Sequence, residues 1–219
     1  MIKNRITQLI FRSVYLTLAF FGLLASFGLF NVDFNQNWYV YYTNLSNFIC
    51  ILVMIPIIID NVRQLSLGNM YGLNTKYTRI KYYAAIWIVV TFLVYNILLG
   101  DPTTMDYWSS VNNLTFHLGC PLVFFLDWLL FDDHSGLRWW DNLAMAAAPV
   151  IYVFYIVIRG AVITPDADTV VYPYFFLDVD ELGMSGVIRW VVILVAFFVG
   201  LGFVFWGVSR LIGKNQKSN

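Results

Sequence analysis

Residues 38–59 read WYVYYTNLSNFICILVMIPIII. The stretch opens on an aromatic belt, Trp38 to Tyr42, and runs on apolar all round, with no strand-like alternation and no charge until Asp60. A hydrocarbon core of about 30 Å needs roughly 20 such residues when the chain crosses it as a helix. Lipid cannot bond a bare peptide group, so a helix, which satisfies each backbone group within its own segment, is the expected form. Interrupting this apolar run are Thr43, Asn44, Ser46 and Asn47, all near its first end. A membrane span with a polar mouth is therefore the unit from which the rest is read.

The same pattern recurs along the 219 residues. Apolar runs at about 10–30, 38–60, 82–100, 109–131, 142–159 and 187–212 predict an all-α membrane protein of about six transmembrane helices in one bundle. Residues 1–219 then form a single transmembrane domain. A composition 60% hydrophobic and 12% charged leaves too little polar surface for a soluble fold. The first run is too long for an apolar signal region and lacks a small-residue cleavage pattern, so it reads as retained. No basic run suggests nucleic acid, and no internal repeat or low-complexity segment is present.

Lys and Arg in short loops mark the cytoplasmic side. Eleven of the thirteen fall on the amino-terminal segment, the loops after the second and fourth spans, and the tail; only Arg159 and Arg189 fall on the opposite side. This predicts both termini in the cytoplasm and a multi-pass protein of the inner membrane. The outward loops then hold Asp33, Asp101, Asp106, Asp166, Asp168, Asp178, Asp180 and Glu181. The longest of them, 160–186, carries Tyr172-Pro173-Tyr174 and reads either as a lid over a site or as a plain connection.

Polar side chains inside spans are costly, so their placement is informative. At a rise of 1.5 Å per residue, Thr43 falls ~7 Å and His117 ~12 Å below the outer surface. Asn96, Tyr155, Arg159 and Arg189 lie near the outer ends of their own spans. Helical spacing puts Thr43, Asn47 and Cys50 on one face, Asn113, His117 and Pro121 on another, and Tyr152, Tyr155 and Arg159 on a third. Three polar stripes at one depth predict a shared cavity and neighbouring second and fourth helices. The plain alternatives are interhelical hydrogen bonding for Thr and Asn, and snorkelling for the two arginines. Asp127, near the inner end, is expected to pair with a cation such as Arg12 or Arg210. No metal site or cofactor is expected: the two histidines, His117 and His134, are too few and too far apart for a ligand cluster, and no Lys is expected inside a span. Cys50 and Cys120 read as reduced packing thiols, and the sequons at Asn44 and Asn113 lie within helices.

Four segments carry a family resemblance. They are Tyr41-Tyr-Thr43-Asn-Leu-Ser46-Asn47; His117-x-x-x-Pro121 leading to Asp127-Trp-Leu-Leu-Phe131; Tyr152-x-x-Tyr155-x-x-x-Arg159-Gly160; and Tyr172-Pro-Tyr-Phe-Phe-Leu-Asp178. Over roughly residues 38–180 the chain resembles the bacterial branch of the androgen-induced-protein family of polytopic membrane proteins. Vertebrate members are threonine-dependent hydrolases of fatty acid esters of hydroxy fatty acids. The resemblance implies Thr43 as nucleophile and His117 as its partner, acting on a membrane lipid or amphipathic ester. On chemical grounds, a base beside a threonine hydroxyl makes it a nucleophile, and Asn47, Asn113 or Arg159 is expected to steady an oxyanion, with Asn96, Tyr155 and Arg189 as further substrate-binding candidates. No acidic group to orient His117 is evident in the sequence. The competing class is a transporter or ligand-binding sensor, in which His117 and Arg159 bind a solute in an outer polar cavity.

Overall fold

The computed structural model describes residues 1–31 and 34–217, and Asp33 of the expected outward acidic set lies outside them. Among the described residues six helices are long and apolar enough to cross a membrane: α1 (Arg5–Ser26), α2 (Tyr42–Ser66), α3 (Thr78–Leu99), α4 (Asn113–Phe131), α5 (Asp141–Val162) and α6 (Val179–Lys217). The described residues hold no strand, only two isolated bridges. This is the all-α membrane bundle that the apolar runs predict.

Local chemistry sets the helix ends. Asn4 caps α1, its Oδ1 accepting from the N–H groups of Ile6 and Thr7 at 2.9 and 3.0 Å. The aromatic belt at Trp38–Val40 is a separate 3₁₀ turn; Tyr41 is extended, so α2 begins at Tyr42 rather than at residue 38. The fourth span is also shorter than expected. Met105–Ser109 is a one-turn helix of its own, Ser110 is extended, and the span follows. Thr43 is therefore the second residue of its helix and not the sixth, as a helix starting at residue 38 would make it. At Gly183 a φ of 65° breaks α6, and the preceding turn is capped by Asp178 Oδ1, which accepts from the N–H groups of Asp180 and Glu181.

α1, α2, α3 and α4 form the central bundle, with α1 against α2 and α4, and α3 against α2 and α4. α6 packs on α3 and α5. Buried between them are Tyr15, Met54, Ile57, Ile86, Ile88, Phe116, Phe124 and Trp128. Tyr15 meets Phe124 edge-on at 5.3 Å, and Trp128 stacks on Phe205 at 4.8 Å. The outer surface is equally apolar: Ile10, Phe20, Ile59, Ile97, Ile151, Phe154, Ile193 and Leu211 are each more than half exposed, as lipid-facing side chains should be.

The two ends of the bundle differ. At the end bearing the termini, Asn4 bridges Tyr71, Asn74 bridges Asp132, and Ile2 N–H donates to Leu130 O at 3.0 Å. Here Asp127 pairs with Arg12 at 3.2 Å, as expected, and not with Arg210. Lys81 corrects the expectation of a lysine-free span. α3 begins four residues before residue 82, and Lys81 is wholly buried inside it, held by Asp127 and Asp132. At the opposite end, Asn37 Nδ2 donates to Asp168 O at 2.8 Å and ties the long 163–178 loop across the mouth of α2.

Candidate active site

Because Tyr41 is extended, the first intrahelical bond of α2 runs from Leu45 N–H to Tyr41 O, and the amides ahead of it have no helical acceptor. Thr43 sits in this first turn. Its N–H donates to the Tyr174 hydroxyl at 3.4 Å, across 131 residues of sequence. His117 comes from α4, whose first seven residues, Asn113–Gly119, wind as a π-helix. Pro121 contributes to this irregularity. It has no N–H to give the His117 carbonyl four residues earlier, and Asn96 Nδ2 donates to that carbonyl instead at 3.3 Å.

The resulting relay has a determined direction. Asn113 Nδ2 donates to Tyr107 O at 3.3 Å, which turns its Oδ1 toward His117 Nδ1 (3.2 Å) and the Tyr95 hydroxyl (2.8 Å). An amide oxygen only accepts, so Nδ1 carries the ring proton and Nε2 presents its lone pair. That lone pair faces Thr43 Oγ1 at 3.2 Å. Tyr95 lies flat on the imidazole, with ring centroids 3.4 Å apart and planes 2° from parallel. Thr43 and His117 are each 7% exposed. A hydroxyl, a base and a neutral orienting amide thus stand in line, in the arrangement of a nucleophile–base–orienter set.

Thr43 stands where two spaces meet. On one side is a polar chamber of about 410 Å³, bordered by Ser26, Asn35, Tyr41, Asn44, Asn112, His117 and Tyr174. On the other is a narrow slot between α3, α5 and α6, lined mainly by Val90, Val94, Val153, Leu194, Val195 and Phe198. Below the relay, Cys50, Phe116, Cys120 and Phe124 are fully buried, and both cysteines are free thiols. Among the described residues no three His, Cys, Asp or Glu side chains are placed to hold a metal ion.

No family model, curated protein or solved structure matches this chain. The geometry therefore stands alone. It brings Thr43, His117 and Asn113 together and makes α2 and α4 neighbours. Asn113 serves the histidine, so it is not free to steady an oxyanion. Asn47 is also spent: its Nδ2 donates to Thr43 O and Phe116 O at 2.9 and 3.1 Å, clamping α2 to the π-turn. Asn96 is held by the Phe92 and His117 carbonyls and by the Tyr107 hydroxyl. Arg159 is buried and donates to Val170 O and Val171 O at 2.7 and 3.0 Å, fastening the long loop rather than facing the chamber.

Two expected site residues point elsewhere. Tyr155 is 36% exposed and borders a different groove. At 100° per residue it lies 60° from Tyr152 and 40° from Arg159, so the three share a broad face, but Tyr152 borders both this groove and the slot while Tyr155 borders only the groove. Arg189 is exposed on α6, outside both spaces. The residues that sequence reading missed are Tyr95 and Tyr174. Only the Tyr172-Pro173-Tyr174 motif in the longest loop signalled the second. That loop covers the site, with Pro173 and Tyr174 in the chamber wall. Gly160 permits this closure, since a Cβ there would meet the Tyr172 ring at 2.5 Å. Burial pushes the Tyr174 phenol up, with hydrogen bonds from Thr43 pulling the other way, so it keeps its proton at neutral pH.

Proposed function

We propose that this chain is a membrane-embedded hydrolase of fatty acid esters in which Thr43 is the nucleophile and His117 the general base. The observation that carries the reading is the Thr43–His117–Asn113 relay, with Nε2 3.2 Å from the threonine oxygen and Nδ1 3.2 Å from the Asn113 amide oxygen. In the first step His117 Nε2 takes the Thr43 proton while Oγ1 attacks the ester carbonyl. The tetrahedral intermediate collapses by breaking the bond to the alcohol oxygen, which leaves with the proton held on His117. Water then gives a proton to Nε2 and attacks the acyl-threonine. The Thr43 oxygen departs, recovers the proton, and a fatty acid is released.

Developing negative charge on the carbonyl oxygen would be met by the Tyr174 O–H, whose oxygen already accepts from the Thr43 N–H in the first turn of α2. A neutral orienting amide suits this environment, because a carboxylate placed beside His117 would need its own compensating charge. Packing below the relay favours hydrolysis over transport, since fully buried side chains stand between the site and the far end of the bundle. The Lys and Arg distribution supports cytoplasmic termini, with the site in the outer half of an inner membrane.

The test is covalent trapping. Purified protein in lipid nanodiscs is treated with a long-chain acyl-enzyme-forming probe, and the modified peptide is located by mass spectrometry. Label on Thr43, lost in Thr43→Ala and partly kept in Thr43→Ser, is the expected result. Undiminished ester hydrolysis by Thr43→Ala would overturn the reading.

A further inference from the structure

Granting the hydrolase reading, the two spaces flanking Thr43 specify the substrate. We infer that it is the ester of one fatty chain with a neutral, hydroxyl-bearing alcohol, of the monoacylglycerol type. The acyl chain would occupy the slot and the alcohol the polar chamber.

The slot decides the acid half. Its α6 wall runs from Val191 to Phe198, about 10 Å along the axis at roughly 1.5 Å per residue. It is apolar and, at about 60 Å³, far narrower than the chamber. Thr43 is part of its wall, so a chain threaded there brings its carbonyl within reach of Oγ1.

The chamber decides the alcohol half. Its polar groups, from Ser26, Asn35, Tyr41, Asn44, Asn112 and Tyr174, are all neutral. Neutral amides and hydroxyls of this kind bond an alcohol hydroxyl, and none of them supplies a cation for a carboxylate. The wider field has the same sign. By sequence, the loops and helix ends on this side hold eight acidic residues against two arginines, a balance of −6. Of those arginines, Arg159 is spent on loop carbonyls and Arg189 is exposed outside the chamber. An ester whose alcohol half ends in a carboxylate finds no cation here and meets an opposing potential. This departs from the hydroxy-fatty-acid esters that the family resemblance implies.

The experiment uses the full chain in zwitterionic nanodiscs and three oleoyl esters: with glycerol, with a hydroxystearic acid, and with the methyl ester of that acid. Thr43→Ala serves as the blank. The glycerol ester should be cleaved with a kcat/KM at least about tenfold above the free-carboxylate ester, the low end of what a focused surface potential does to encounter. The gap should narrow in high salt, and methylating the carboxylate should recover part of the loss. Asn112→Lys should shrink or invert the preference. Val195→Trp should penalise long acyl chains over short ones while leaving the order of alcohols unchanged. Equal or faster cleavage of the carboxylate ester by the parent protein would sink the inference about the alcohol and leave the hydrolase reading intact. Indifference of Val195→Trp to chain length would sink the slot assignment. Should Thr43→Ala match the parent on all three esters, the hydrolase reading itself fails.

Discussion

Two clusters of buried polar side chains lie at opposite ends of the bundle, and they are built on opposite principles. Toward the termini, Arg12 Nε reaches both oxygens of Asp127 at 3.3 and 3.2 Å, Lys81 joins Asp127 to Asp132, and Asn74 Nδ2 donates to Asp132 at 3.0 Å. All four charged side chains are at most 1% exposed. Two cations and two anions cancel there, and the cluster joins α1, α3, α4 and the loops beyond them. At the other end Thr43, His117, Asn113 and Tyr174 carry no formal charge, and a chamber opens beside them. Desolvating four charges costs far more than desolvating these neutral groups. The more costly cluster is nonetheless the packed lock, and the cheaper one has the geometry of a site. Unfilled hydrogen-bonding capacity next to open space distinguishes them better than charge does.

The contrast breaks most sharply if activity fails to depend on the uncharged cluster. Thr43→Ala should lower kcat by roughly four orders of magnitude or more, as loss of a triad nucleophile does. His117→Ala should cost about two to four. Both should keep the parent's thermal unfolding in detergent, because neither breaks a buried charge pair.

Asp127→Ala tests the other side of the comparison. Leaving Lys81 and Arg12 without that partner should cost about 3–5 kcal/mol of stability. Turnover per folded molecule should stay near that of the parent, read by unfolding in detergent beside active-site titration. A selective loss of turnover with unchanged stability would make the charged cluster functional.

Tyr174→Phe sharpens the account of the chamber. It removes one proposed oxyanion donor and should lower kcat about 10²- to 10³-fold with little change in KM. Arg159→Lys has the smallest expected effect. It gives up one of two bonds to the loop carbonyls, each worth about 0.5–1.5 kcal/mol, and should reduce kcat/KM by roughly two- to tenfold. A much larger loss would mean that Arg159 touches substrate.

Much of the site was legible because a membrane span makes each polar residue conspicuous. Thr43 and His117 stood out as polar interruptions of apolar runs, and helical spacing placed Asn113 on the histidine's face. The group that orients His117 is nonetheless an amide and not an acid, and Asn113 does this work only because its oxygen is the atom turned toward the ring. Tyr155 and Arg189 border neither of the two spaces that meet at Thr43.

Sequence alone therefore determined the class, the six spans, the apolar surface and the level at which polar side chains gather, because these follow from transfer free energies and helical periodicity along a single segment. Tertiary structure decided which polar groups meet. The π-turn before Pro121 aims His117 at Thr43, Asn113 sets its tautomer, and the long loop brings Tyr174 over the first turn of α2. Lys81 belongs to the same lesson: a lysine that looks like a loop charge becomes a buried partner once α3 starts early and two carboxylates from α4 and the loop after it surround it. Hydrogen-bond direction and partnership depend on distances between residues far apart in the chain, and no single segment carries that information.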